Sequence, residues 1–310
     1  MANPATATQS APAENDDLIR RDITFTSRDG LRLYAHAVEP KRQSQHTVLC
    51  LPGLTRNSRD FTSLAETLAR RGHRVISVDY RGRGRSDHDS DWRNYSPFIE
   101  ALDITDLAAR EHEAAVHIVG TSRGGLIAMI LAALRPTMML SVVLNDIGPR
   151  IEPDGLARII GYVGRIPAPL DWNDAARTVA DINSRDFPAV SAEEWGVLAR
   201  QWFNDSHGRP IAGYDPALAR ALTASRAMIP EMWPQFRALG KFPILVIRGE
   251  NSDLLSAETV AKMCRLHPDP RAIEVPGEGH APLLRDALSQ SAIGDFLGDV
   301  DRKLGVGRAH

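Results

Sequence analysis

The stretch VHIVGTSRGGLIAMILAAL, Val116 to Leu134, most constrains what this chain can fold into. Val116 to Val119 is an apolar run of the length of a buried strand, and Leu126 to Leu134 is an apolar segment stopped by Pro136, which reads as a helix. A strand that becomes a helix within about four residues bends sharply, and its apex residue is held in a strained backbone conformation. That residue is Ser122. Gly120 and Gly124 flank it and bring no Cβ to clash where strand and helix close on each other. Gly-x-Ser-x-Gly in a strand–turn–helix setting is a nucleophile elbow, which presents the serine oxygen at the top of a sheet. A plain Gly-rich turn accounts for the same five residues, so the rest of the chain has to supply the serine's partners.

The 310 residues allow one large domain, or a core domain carrying an insertion. Lys and Arg number 37 against 39 Asp and Glu, a net charge of −2, so there is no electrostatic case for nucleic acid or an anionic membrane as partner. Cys50 and Cys264 stand alone in separate apolar surroundings. They form neither a disulfide framework nor a metal set, and a reducing, cytoplasmic compartment is expected. The opening MANPATATQSAPAENDD has neither a basic start nor an apolar stretch, so no signal peptide or anchor is expected, and its Ala, Pro, Thr and Ser content predicts a disordered tail over residues 1–19. The longest apolar run is the helix after Ser122, well short of the roughly 20 residues that cross a bilayer.

Residues 22–28 and 31–38 alternate around Asp29-Gly30 and predict a hairpin. HTVLCLPG is a buried strand and its loop, residues 57–71 carry a helical pattern closed by Gly72, and RVISVDYRGRGRSD is a strand running into a Gly/Arg loop. A helix over 97–110, the elbow strand and helix, and the strand MLSVVLND follow. Farther on come FPILVIRGE, a helix over 257–266, RAIEVPGEGH and a terminal helix from about residue 282. This alternation predicts an α/β fold with a mostly parallel, doubly covered sheet. Between Ile151 and Lys241 the alternation stops. That segment shows helical patterns, no convincing strand, and Trp172, Trp195, Trp202 and Trp233, four of the five tryptophans. It is far longer than ordinary connections. The expected organisation is a core of residues 20–150 and 242–305, with a helical cap of residues 151–241 inserted after the sixth strand, over the sheet edge where such folds bind ligands.

An elbow serine needs a base to take its proton and an acid to orient that base, and in this architecture they follow in the order Ser, Asp or Glu, His. Of ten histidines only His280 lies in a loop after a late strand, in VPGEGHAPLL. For the acid, Asp253 follows ILVIRG one strand earlier, Asp146 ends VVLND, and Glu250 is a third candidate. The oxyanion formed by serine attack needs N–H donors, and the backbones of Arg123 and of Leu54, in the loop PGLTRN, are the candidates.

Together GTSRGG, DYRGRGRSD, GENSDLLS and GEGHAP resemble the capped members of the α/β-hydrolase superfamily over roughly residues 20–305. The resemblance implies a Ser122–Asp253–His280 triad, a helical cap that shapes the pocket, and no cofactor or metal. The chain departs from it at Pro52, where the family has His. Proline donates no N–H, but the expected donor is Leu54. A serine at the elbow also argues against the epoxide hydrolases and haloalkane dehalogenases of this fold, which carry aspartate there.

The expected activity is hydrolysis of a small, moderately apolar carboxylic ester or lactone through an acyl-enzyme on Ser122. Hydrolysis of a C–C bond and cofactor-free perhydrolysis use the same triad. A non-catalytic ligand receptor on this fold fits less well, because the chain keeps all three triad residue types. Trp202 and Trp233 are the expected substrate-facing cap residues. Arg56, Arg59 and Arg123 are candidates to hold a substrate carboxylate, with solvated or structural roles as the alternative. The expected partner is a small molecule, and the sequence leaves a homo-oligomer open.

Overall fold

The computed structural model describes residues 17–42, 44–225 and 231–305. The expected tail falls largely outside these residues, but its last two positions, Leu18 and Ile19, belong to a strand. The strands are Leu18–Thr26 (β1), Arg32–Pro40 (β2), Val48–Leu51 (β3), Val75–Asp79 (β4), Val116–Thr121 (β5), Met139–Asn145 (β6), the short Asn204–Ser206 (β7) and Arg209–Ile211 (β8), Ile244–Gly249 (β9) and Pro270–Val275 (β10). Eight of them form one sheet in the order β1-β2-β4-β3-β5-β6-β9-β10. The β1–β2 and β2–β4 pairs are antiparallel and the remaining pairs are parallel. The expected mostly parallel sheet is therefore present, with the hairpin at one edge.

Helices cover both faces. They are Thr62–Arg70 (α1), Pro97–Arg110 (α2), Arg123–Leu134 (α3), Pro153–Tyr162 (α4), Trp172–Asn183 (α5), Ala192–Trp202 (α6), Leu218–Ser225 (α7), Trp233–Ala238 (α8), Ala257–Leu266 (α9) and Ala287–Lys303 (α10). The strands read as continuous apolar runs because successive residues are buried on opposite faces. Leu49, Ile118, Leu144 and Val246 face Ile104 and Leu107 of α2 and Ile127 and Leu131 of α3. Their alternates Cys50, Val119, Val143 and Leu245 face Leu64 and Leu68 of α1 and Phe296 and Leu297 of α10.

The segment between β6 and β9 differs from the sequence expectation in two ways. First, it contains a hairpin: β7 and β8 pair across His207-Gly208, whose φ values of 54° and 83° fit a two-residue hairpin turn. Such three-residue strands are too short to leave an alternation in the sequence. Second, the segment does not pack as one unit. Ala175, Val179, Trp195, Leu198 and Phe203 form a small core between α5 and α6. Trp233 and Phe236 of α8 instead join the main core.

The elbow is one of the tightest backbone contacts in the fold. A Cβ on Gly124 would stand 2.1 Å from the Leu51 carbonyl oxygen, at the end of the neighbouring strand β3. Backbone cannot yield there as a flexible side chain can. Gly124→Ala is thus expected to destabilise the protein by 3 kcal/mol or more, beyond the roughly 1–3 kcal/mol usual for overpacking. Gly196→Ala, inside α6 with nothing within 4 Å of the added methyl, is expected to stabilise by about 0.5–1 kcal/mol. Chemical denaturation of the two variants side by side checks both signs.

Candidate active site

Ser122 stands at the junction of β5 and α3 with φ 50° and ψ −110°, a conformation L-residues rarely adopt. Its backbone N–H donates to the Asn145 carbonyl (2.9 Å) at the end of β6. Its Oγ lies 2.8 Å from His280 Nε2, and His280 Nδ1 lies 2.8 Å from Asp146 Oδ2. A carboxylate only accepts, so Nδ1 carries the hydrogen and Nε2 is left to accept the serine proton. Asp146 is fully buried. It also accepts the Gly249 backbone N–H (2.8 Å) and the Ser252 hydroxyl (2.5 Å). Three donors compensate the burial of its charge.

The acid facing His280 is thus Asp146, and Asp253 is not. Asp253 leaves the β9 loop toward α4, where Arg158 grips it with two bonds, Nε to Oδ2 (2.6 Å) and Nη2 to Oδ1 (2.8 Å). Burial raises the Asp253 carboxyl, but the bonds and charge of Arg158 outweigh it and hold the group below its usual range. Glu250 accepts the Gly277 N–H with Oε2 (2.7 Å), outside the triad. The loop after β9 nevertheless serves the site, since its Ser252 fixes the acid. Asp146 turns in toward the histidine with φ 54°, an angle that the string VVLND does not announce.

Asn145, which sequence reasoning passed over, ties three segments together. Its carbonyl holds Ser122, while its side-chain amide donates to Thr121 Oγ1 (3.0 Å) and to the Pro282 carbonyl (2.9 Å), two residues past His280. Glu100 is the second omission. It is fully buried and takes Arg83 Nη1 on Oε1 (2.7 Å) and Arg123 Nε on Oε2 (2.7 Å). Arg83 Nε in turn donates to the Leu54 carbonyl (2.9 Å). Burial pushes the Glu100 carboxyl up, and the two guanidiniums outweigh that and keep it ionised. One carboxylate thus braces both residues expected to stabilise an oxyanion. The strand-to-loop string DYRGRGRSD was the signal, with Arg81 and Arg83 both fully buried.

Above Ser122 and His280 lies a cavity of about 560 Å³, walled by Leu54, Ile159, Tyr162, Phe187, Leu198 and Trp202 among others. Trp202 lines this cavity. Trp233 does not: it packs edge-on against Phe236 in the main core, and Lys262 sits over its ring. Among the described residues, His46, His117 and Asp301 form the one cluster with metal-ligating atoms close together. It sits at the other end of β5 from Ser122, and its atoms bond one another and fasten α10 to the sheet.

If Asp146 orients the histidine, Asp146→Asn is expected to lower kcat by several orders of magnitude, as the same change did by about 10⁴ in another triad enzyme. Asp253→Asn is expected to leave kcat within about fivefold and to lower stability by about 1 kcal/mol, the scale of a partly exposed ion pair. Steady-state kinetics and melting curves on the two variants separate the roles; an inactive Asp253→Asn with normal Asp146→Asn reverses them.

The profile described as "Alpha/beta hydrolase family" matches residues 48–289. A 3-hydroxybutyrate-oligomer hydrolase of Cupriavidus necator is 34% identical over 85% of this chain and 92% of its own. A 2-(acetamidomethylene)succinate hydrolase of Mesorhizobium japonicum is 32% identical over 75% of this chain and 81% of its own. Among solved structures, an alpha/beta hydrolase from Novosphingobium aromaticivorans superposes with a TM-score of 0.84 at 42% identity, covering 90% of this chain and 98% of that one.

Proposed function

Because the chain belongs to the alpha/beta hydrolase family and is an enzyme of hydrolase type, we propose that it is a serine hydrolase cleaving a carboxylic ester or lactone of a small, moderately apolar substrate. The observation that carries this reading is the unbroken relay from Ser122 Oγ through His280 to Asp146, with 2.8 Å at each step. In the proposed reaction His280 Nε2 takes the hydroxyl proton as Ser122 attacks the carbonyl carbon, and Asp146 stabilises the imidazolium. The Leu54 and Arg123 N–H groups stabilise the oxyanion. As the tetrahedral intermediate collapses, His280 returns the proton to the leaving alkoxide and an acyl-Ser122 remains. Water, deprotonated by His280, then releases the acid.

The apolar cavity wall supports a small acyl or alcohol part held by burial. A relative named for hydrolysing hydroxybutyrate oligomers supports an oxygen ester over a C–C bond. Cys50 and Cys264 are both free, which supports a reducing, cytoplasmic compartment. No helix among the described residues is long and apolar enough to cross a membrane.

A fluorophosphonate probe is expected to label Ser122. Ser122→Ala is expected to abolish labelling and lower kcat on the best ester by about 10³-fold or more. A panel of p-nitrophenyl esters, lactones, amides and dienoic keto acids tests the bond cleaved. Turnover confined to the keto acids replaces the ester reading with C–C hydrolysis.

A further inference from the structure

Three arginines lie near the nucleophile, and the structure commits two of them elsewhere. Arg123 spends its guanidinium on Glu100 and the Tyr95 carbonyl (2.9 Å). Arg59 reaches across to the cap and donates to the Gln201 and Phe203 carbonyls and to Asn204 Oδ1, at 2.9–3.0 Å. Arg56 is different. Its Nε donates to Asp60 Oδ2 (2.8 Å), but neither terminal Nη has a hydrogen-bond partner among the described residues. Its guanidinium carbon lies over the Trp202 ring, 3.2 Å from the centroid, so the cation is held against the indole face. Arg56 and Trp202 both line the cavity that contains Ser122 and His280. Arg285 is the other cation in that wall, and it faces Glu194 at 3.1 Å.

The position is close to the chemistry. The point where a Gly53 Cβ would stand is 3.2 Å from Arg56 Cγ and 3.9 Å from Ser122 Cβ. The guanidinium is thus held a short chain's length from the reacting carbonyl. Burial pulls the Arg56 pKa down despite the opposing charge of Asp60. A planar fork with its outer pair of donors unused is matched by a carboxylate, which takes two parallel N–H bonds.

We propose that Arg56 is a specificity-determining residue that binds a free carboxylate on the substrate, so that the preferred substrates are anionic esters whose carboxylate lies a few bonds from the scissile carbonyl. The inference rests on the ester reading above and names its substrate class. Trp202 and Asp60 hold the guanidinium in one orientation, one from its face and one at its Nε edge. The apolar remainder of the cavity receives the rest of the substrate.

The test uses matched pairs differing in one charge. For a carboxylate on the acyl side these are p-nitrophenyl hydrogen glutarate and p-nitrophenyl pentanoate. For one on the alcohol side they are 3-acetoxypropanoate and its methyl ester. In the wild type, kcat/KM is expected to favour the anion by about 10–100-fold in at least one pair, the scale of a charged hydrogen bond. That ratio is expected to fall to about one in Arg56→Met, and to an intermediate value in Arg56→Lys, which keeps the charge without the fork. Arg56→Met/Asp60→Asn removes the carboxylate left unbalanced and covers the case of a poorly folded single variant. Calorimetric binding of monomethyl and dimethyl glutarate to Ser122→Ala gives a readout that needs no turnover. A neutral or reversed preference in both pairs, with equal binding of the two glutarates, overturns the proposal and leaves the ester reading intact. Tighter binding of the monomethyl ester by an enzyme that turns over no ester keeps the carboxylate site and rejects the ester reading.

Discussion

The site depends on a hydrogen bond at the end of the sheet, from the Ser122 N–H to the Asn145 carbonyl. It fixes the elbow of β5 to the last residue of β6, and so decides where a residue following β6 can reach. Asp146 comes next in the chain, and the amide of Asn145 holds the segment after His280 through Pro282. Ser122, Asp146 and His280 therefore converge on one peptide neighbourhood although His280 lies 158 positions from Ser122. A strained serine survives because the contacts around it leave no alternative arrangement.

Below that layer a buried acid, Glu100, joins two guanidiniums. Glu100 between Arg83 and Arg123 resembles a structural ion cluster, and the buried Arg83 guanidinium without it would be costly. Its position gives it more reach than packing. Through Arg83 it holds the carbonyl of Leu54, and through Arg123 it holds the first turn of the elbow helix. The loop carrying Pro52 is thus braced from the Leu54 carbonyl, which bears on how this chain manages without the histidine of the family pattern.

Much of this was legible in the sequence because apolar runs and turn residues are local signals. The helices over 97–110 and 257–266 start and stop where the pattern says, and the elbow serine and the late histidine are in hydrogen-bond contact. The acid was not legible. β6 and β9 are neighbours, with Asn145 opposite Ile247, so the loops after both open beside His280. Which of them presents a carboxylate is decided by the φ of Asp146 and by an arginine on α4, neither of which is local information. Trp233 fails for a similar reason. Chain position placed it in the cap, whereas α8 has already returned to the core, and only tertiary packing distinguishes the two. Arg56, Arg59 and Arg123 looked alike as neighbours of the site, and their partners separate them.

The way the segment over the cavity is attached has a mechanical consequence. On one side it is stitched to the loop after β4 by main-chain bonds: Gly84 N–H to the Gly213 carbonyl (2.8 Å) and Asp215 N–H to the Gly82 carbonyl (2.7 Å), with Asn204 Nδ2 on the Gly84 carbonyl (2.7 Å). At α4 the fastening is mixed: the Glu152 N–H donates to the Leu254 carbonyl (3.0 Å), Ile159 joins the main core, and the partly exposed Arg158–Asp253 pair adds a side-chain bridge. Backbone bonds are indifferent to ionic strength, whereas a partly exposed ion pair weakens as salt rises. The roof therefore carries one tie that dissolved ions tune, the Arg158–Asp253 bridge, while its backbone bonds near Gly213 and at Glu152 are untouched by salt.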